Sequence, residues 1–252
     1  MTKREILVET RDGRVTAGVF LPGGAEVAAK PHPGVILYMD AFGPRPALDR
    51  MAERLALAGH VVVVPDLFYR MGAYGPFDAA TAFSDEARRA EIMGMVQTTT
   101  QAMTERDSAA FLDALAREGA AGPVGVVGYC MGGARALTAA AAYPDRIAAA
   151  ASFHGGNLAS EAPDSPHRRA EQIRGRVYVG CAGVDRSFPP EQSAQLAQAL
   201  RQAEVDHVIE NYVGMEHGWA VPDHRVFHPE GAERHWKRLL QFFAETLHEP
   251  SS

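Results

Sequence analysis

The chain has 252 residues, of which 46% are hydrophobic, 22% charged and 8% aromatic, and its formal net charge is −6. That length buries a full core and suits a single α/β domain over residues 1–252. An acidic balance without a basic cluster excludes nucleic acid and anionic membranes as expected partners; a small molecule fits better, with monomer and homodimer both open.

Ile6 to Thr10 and Arg14 to Leu21 are strand-like runs joined by turn residues Arg11-Asp12-Gly13, which predicts an antiparallel hairpin closed by Pro22-Gly23-Gly24. After Pro31 and Pro33, Val35 to Met39 is a continuous apolar run, as in a strand covered on both faces, and it ends at Asp40-Ala41-Phe42-Gly43-Pro44. Ala47 to Ala58 has helical spacing and stops at Gly59; His60 to Asp66 returns as a buried strand. Leu67 to Phe83 reads as a long loop above the strand ends that contributes to a substrate pocket. Helices are predicted from about Asp85 to Met95 and from Glu105 to Glu118.

Val124 to Tyr129 is a valine-rich strand, and Ala134 to Ala142 has strong helix propensity. Further strands cover Ile147 to Phe153, Val177 to Ala182 and Val205 to Val213. Pro189-Pro190 opens a helix to about Ala203, and Gly231 to Leu247 forms the last. This alternation predicts a mostly parallel, doubly wound sheet, with ligands at the carboxyl ends of its strands. Apolar stripes at Ala47-Leu48, Met51 and Leu55, and at Met93 and Met95, are assigned to the core.

Chemistry centres on Gly128-Tyr129-Cys130-Met131-Gly132-Gly133, where a strand turns sharply into a helix. This is the nucleophile elbow with cysteine for serine, and the helix N-terminus favours a thiolate there. A cysteine nucleophile needs a base and an orienting acid, which His217 and Asp185 supply in the order of α/β hydrolases. Asp206, the rival acid, starts a strand and so lies at the wrong end of the sheet. The oxyanion hole is expected from the backbone N–H groups of Met131 and Ala41. His154, Trp219 and Tyr129 flank the expected mouth as candidate pocket residues, and Cys181 reads as core. The N-terminal stretch from Met1 regains charge too early for a signal peptide, and no apolar run is long enough to span a bilayer. With one of two cysteines needed as a free thiol, a reducing cytoplasm is the expected location.

On Gly128 to Gly133, Ala182-Gly183-Val184-Asp185, Glu216-His217-Gly218-Trp219 and Pro65-Asp66-Leu67-Phe68-Tyr69-Arg70, the chain resembles the dienelactone hydrolase (carboxymethylenebutenolidase) family over nearly its whole length. The resemblance implies an α/β-hydrolase fold and hydrolysis of a lactone or ester through a Cys-His-Asp triad and a thioacyl-enzyme, without metal or cofactor. It also implies that a carboxylate after the first parallel strand, here Asp40 in place of glutamate, activates the thiol or contacts substrate; capping the loop before Gly43-Pro44 is the alternative role of Asp40. Family members that take dienelactone hold its carboxylate with two arginines. One of those positions is Val221 here, and Arg88 or Arg89 aligns near the other, so substrate selection is expected to differ. Thioester cleavage, acyl transfer, pathway-specific lactone processing and ligand binding without turnover are the rival functions.

Overall fold

The computed structural model describes residues 3–23 and 31–247. Met1, Thr2 and Gly24 of the stretches above lie outside the described residues. Eight strands, β1 (Arg4–Thr10), β2 (Gly13–Phe20), β3 (His32–Tyr38), β4 (Val61–Pro65), β5 (Ala120–Tyr129), β6 (Ile147–Phe153), β7 (Arg176–Val184) and β8 (His207–Glu216), form one sheet. Their order is β1-β2-β4-β3-β5-β6-β7-β8. The β1–β2 hairpin and the β2–β4 pair are antiparallel, and the strands from β4 through β8 run parallel, as the alternation predicted.

The helices are α1 (Pro46–Leu57), α2 (Glu86–Thr98), α3 (Gln101–Arg117), α4 (Met131–Ala142), α5 (Pro190–Gln202) and α6 (Pro229–Leu247). They cover both faces of the sheet. A Cβ on Gly125 would meet Phe243 and Leu247 of α6, whereas one on Gly128 would meet α4. Residues three apart on a strand point to opposite faces, so α4 and α6 lie on opposite sides. The central strands β3 and β4 are buried throughout their apolar runs, which is why they carry no polar alternation.

Helix α3 starts a turn before its predicted beginning, because the Thr100 side chain accepts the Met103 N–H at 3.2 Å and caps it. Asp85 caps α2 in the same way through the Arg88 N–H. Only Ile92 and Met95 of α2 are buried; Met93, assigned to the core above, is 39% exposed. Two methionines two positions apart diverge by about 200° around a helix, so both cannot face the core.

The parallel register lines up the carboxyl ends that matter. Tyr38 of β3 sits beside Gly128 of β5, Tyr129 beside Phe153 of β6, and Val184 of β7 beside Glu216 of β8. Asp40, Cys130, His154, Asp185 and His217 each follow one of those ends, and are thereby gathered along one edge of the sheet. Close approach of backbone to backbone makes this possible: a Cβ on Gly128 would lie 1.8 Å from the Gly132 carbonyl oxygen, and one on Gly132 2.5 Å from the Met39 oxygen. Gly128→Ala is therefore expected to lower unfolding free energy by more than about 4 kcal/mol, as a rigid backbone clash cannot relax locally. Urea unfolding measures this; a loss under 1 kcal/mol would contradict it.

Candidate active site

Cys130 is the residue between β5 and α4. Its backbone stands at φ 56°, ψ −120°, a strained conformation for a non-glycine residue, and its side chain is partly exposed. Its carbonyl accepts the Gly133 N–H. As the N-cap of a 12-residue helix, it sits where backbone partial charge favours an anion. The Met131 N–H is the first of α4 and has no acceptor within the helix. Ala41 is brought alongside because Gly132 lets α4 press against the Met39 carbonyl. In the Ala41 turn, Phe42 N–H is taken by Asp40 Oδ1 at 3.0 Å and Gly43 N–H by the Asp40 carbonyl at 3.4 Å. The Ala41 N–H is left as this turn's unengaged donor among the described residues.

His217 follows β8, and its Nδ1 lies 2.7 Å from Asp185 Oδ2. With Nδ1 so engaged, Nε2 is the nitrogen left for Cys130, whose sulfur acts on the charge of the ring. Burial opposes charge on His217. The Cys130 sulfur and the Asp185 carboxylate outweigh that and push its pKa up to about 10. Asp185 is buried as well, which would raise its pKa, yet the hydrogen bonds from His217 and Ser187 hold it below the usual carboxylate range. The structure thus brings the three expected triad residues together, with His217 hydrogen-bonded to Asp185 and electrostatically coupled to Cys130. Asp206 lies at the opposite end of β7 and β8, where its carbonyl accepts the Val177 N–H.

Ser187 was not foreseen. Its N–H and Oγ–H both donate to Asp185 Oδ1, at 2.8 and 2.7 Å, and its Oγ lies 3.2 Å from His217 Nδ1. The signal was present as Asp-Arg-Ser, since an aspartate commonly accepts the N–H two residues on in an Asx turn. That turn leaves Oδ2 to face the imidazole.

Asp40 departs from expectation. It is fully buried, and its Oδ1 accepts from Arg45 Nη1 at 2.7 Å and from the Phe42 N–H. Its Oδ2 accepts from Arg45 Nη2 at 2.9 Å and from His224 Nε2 at 2.9 Å. Four donors fill the four lone-pair sites of a carboxylate, which leaves none for the thiol or a substrate. Burial alone would raise the Asp40 pKa; the His224 hydrogen bond and the Arg45 charge hold it well below the usual range. Arg45 also binds Asp223, at 2.6 and 2.8 Å, and so ties the turn after β3 to the loop after His217. Nothing in the sequence points to this network, because its partners stand 178 and 184 residues apart.

The expected pocket residues are a second correction. Tyr129, His154, Trp219 and Val221 are each no more than 1% exposed. Tyr129 Oη hydrogen-bonds His235 Nε2 at 2.8 Å, and Trp219 packs on Tyr212 at 4.7 Å between ring centroids. These four form the packed wall behind the triad, because the chain turns inward at Gly218, and they line no open mouth. Arg88 is exposed and pairs with Glu91 on its own helix, and Arg89 is exposed. The long loop does reach the site, where Phe83 packs against Phe42, which in turn stands edge-on to His224. Cys181 is buried in β7, which pushes its thiol up to about 11. Among the described residues, no group of three or more His, Cys, Asp or Glu is arranged to hold a metal ion, and no helix is long and apolar enough to cross a membrane.

Comparison with known proteins bears on the family and the fold. The model of the dienelactone hydrolase family matches residues 20–247. The carboxymethylenebutenolidase of Rhodococcus opacus is 32% identical over 219 residues, covering 84% of this chain and 81% of the relative. The solved structure of a dienelactone hydrolase-like promiscuous phosphotriesterase from metagenomic libraries matches with a TM-score of 0.76 at 24% identity, over 98% of this chain and 100% of that one. Dienelactone hydrolase from Anabaena variabilis gives 0.61 at 15%, over 98% and 99%. Both structures bear on the fold, which is the α/β-hydrolase fold. The chain belongs to the dienelactone hydrolase family and is a hydrolase of carboxylic esters or lactones.

Proposed function

We propose that this hydrolase acts through a Cys130-His217-Asp185 triad and a thioacyl-enzyme. The observation that carries the reading is the 2.7 Å hydrogen bond from His217 to Asp185 beside Cys130, which stands in strained backbone at the head of α4. With its pKa near 10, His217 holds the proton at neutral pH, opposite the sulfur. The sulfur attacks the ester or lactone carbonyl, forming a C–S bond, and the oxyanion is received by the Met131 and Ala41 N–H groups. Collapse breaks the C–O bond, and the His217 Nε2 proton passes to the departing alkoxide. Neutral His217 then takes a proton from water as its oxygen attacks the thioester, and the acid leaves with the sulfur restored as anion beside imidazolium.

Substrate selection is proposed to differ from that of dienelactone-binding relatives. Val221 is sealed in the core and Arg88 and Arg89 lie on the surface, so these positions supply no two-arginine clamp. Each lost charge-assisted hydrogen bond forgoes roughly 1.5–3 kcal/mol of preference for a carboxylate. Neutral esters and lactones are the expected substrates.

The test is quenched intact-mass spectrometry of the enzyme with neutral and anionic lactones and aryl esters, run in ¹⁸O-labelled water. An acyl adduct mapping to Cys130, with one labelled oxygen in the acid product, is expected. Product formation with no adduct on Cys130, even in rapid quench, would overturn the covalent route, and unlabelled product would indicate acyl transfer.

A further inference from the structure

His154 is a histidine in the site to which the triad assigns no role. It follows β6 with φ at 38°, and it is 1% exposed. Its ring stands edge-on to His217 at 5.1 Å between centroids and to Trp219 at the same distance. Its Nδ1 accepts the backbone N–H of Cys130 at 3.2 Å, a proton shared with the Phe153 carbonyl at 3.2 Å.

An imidazole nitrogen that accepts an N–H carries no proton, so His154 is the neutral Nε2–H tautomer. Its surroundings enforce that state. Burial works first against its charged form, and positive charge on His217 and His224 works in the same direction, so its pKa falls well below the ordinary value. A second imidazolium cannot form next to His217, and the acceptor lone pair stays available through the neutral range.

The Cys130 N–H needs such a partner. Cys130 itself is held at a strained φ of 56°, and neither of the two acceptors of its N–H alone is short. Together they make a three-centre bond that anchors the elbow. A cost is paid on the other side of the ring, where His154 Nε2 is buried with no partner among the described residues. A phenylalanine would fill the same space without that penalty, so the acceptor nitrogen is what the imidazole adds.

We propose that His154 is a positioning residue for the nucleophile, whose Nδ1 holds the Cys130 N–H and so fixes the sulfur in line with His217. The proposal rests on Cys130 being the nucleophile. It is tested with His154→Asn and His154→Gly, assayed below their melting temperatures. Both residues accept a positive φ, but only asparagine offers an oxygen near the place of Nδ1. Acylation of Cys130 is timed by rapid quench and mass, alongside steady-state kcat and KM. The glycine variant is expected to lose roughly 10-fold or more in acylation rate and kcat with KM within about twofold, the size of effect a small misplacement of a reacting atom produces. The asparagine variant is expected to stay within about threefold of wild type. Glycine acylating as fast as wild type, or asparagine falling as far as glycine, overturns the proposal while leaving the nucleophile intact. A wild-type enzyme that turns over without an adduct on Cys130 removes the nucleophile assignment and this role with it.

Discussion

Cys130→Ala is expected to lower kcat by at least about 10⁴-fold on every ester or lactone the wild type accepts, with no acyl adduct by mass. Removing the nucleophile of a triad leaves only binding and the oxyanion donors, and losses of this order follow. Alanine also keeps the small volume the elbow needs, so the variant should fold. The same chemistry sets a pH limit. In the proposed mechanism His217 carries the proton that goes to the leaving group, and that proton is present below its pKa and lost as pH rises through about 10. Wild-type kcat/KM is therefore expected to decline above pH 10. A Cys130→Ala enzyme with a tenth of wild-type activity would end the covalent reading.

Asp40→Ala is expected to cost about 3–5 kcal/mol of stability, the range for breaking one side of a buried ion pair. It would leave Arg45, whose side chain is 10% exposed, with Asp223 as its one carboxylate and the Gly43 carbonyl, and His224 Nε2 without its acceptor. For a chain of this size the melting temperature should fall by roughly 6–20 °C. Activity should fall too, because Asp40 and Arg45 hold the turn that presents the Ala41 N–H. Asp40→Asn separates this anchoring role from direct thiol activation. If the asparagine variant melts within about a degree of wild type yet alkylates at Cys130 more slowly, the carboxylate serves the thiol and the anchoring role is wrong.

The elbow was legible because its demands are local. A valine run, flanking glycines and an alanine-rich helix leave one geometry for Gly128 to Gly133, and the clashes that any Cβ would meet there show why. The meeting of His217 with Asp185 was legible because the ends of parallel strands can be counted along the chain. Asp40 was misread since its place in the chain says nothing of what reaches it. The carboxylate meant for the thiol is saturated by Arg45, His224 and a backbone N–H. Val221 was likewise judged by its distance from His217, whereas the turn at Gly218 directs it into the core.

By itself, the sequence determined the family, the alternation of strands and helices, and the three side chains that line up at the sheet's edge, since periodicity, turn residues and chain order are one-dimensional signals. Only the tertiary structure decided what surrounds them: the Arg45 clamp on Asp40, the Ser187 brace on Asp185, and His154 as the neutral acceptor behind Cys130. Those contacts join loops from different strand ends. Their partners are chosen by where the packed sheet delivers each loop, and by which lone pairs and N–H groups are still unpaired when it arrives.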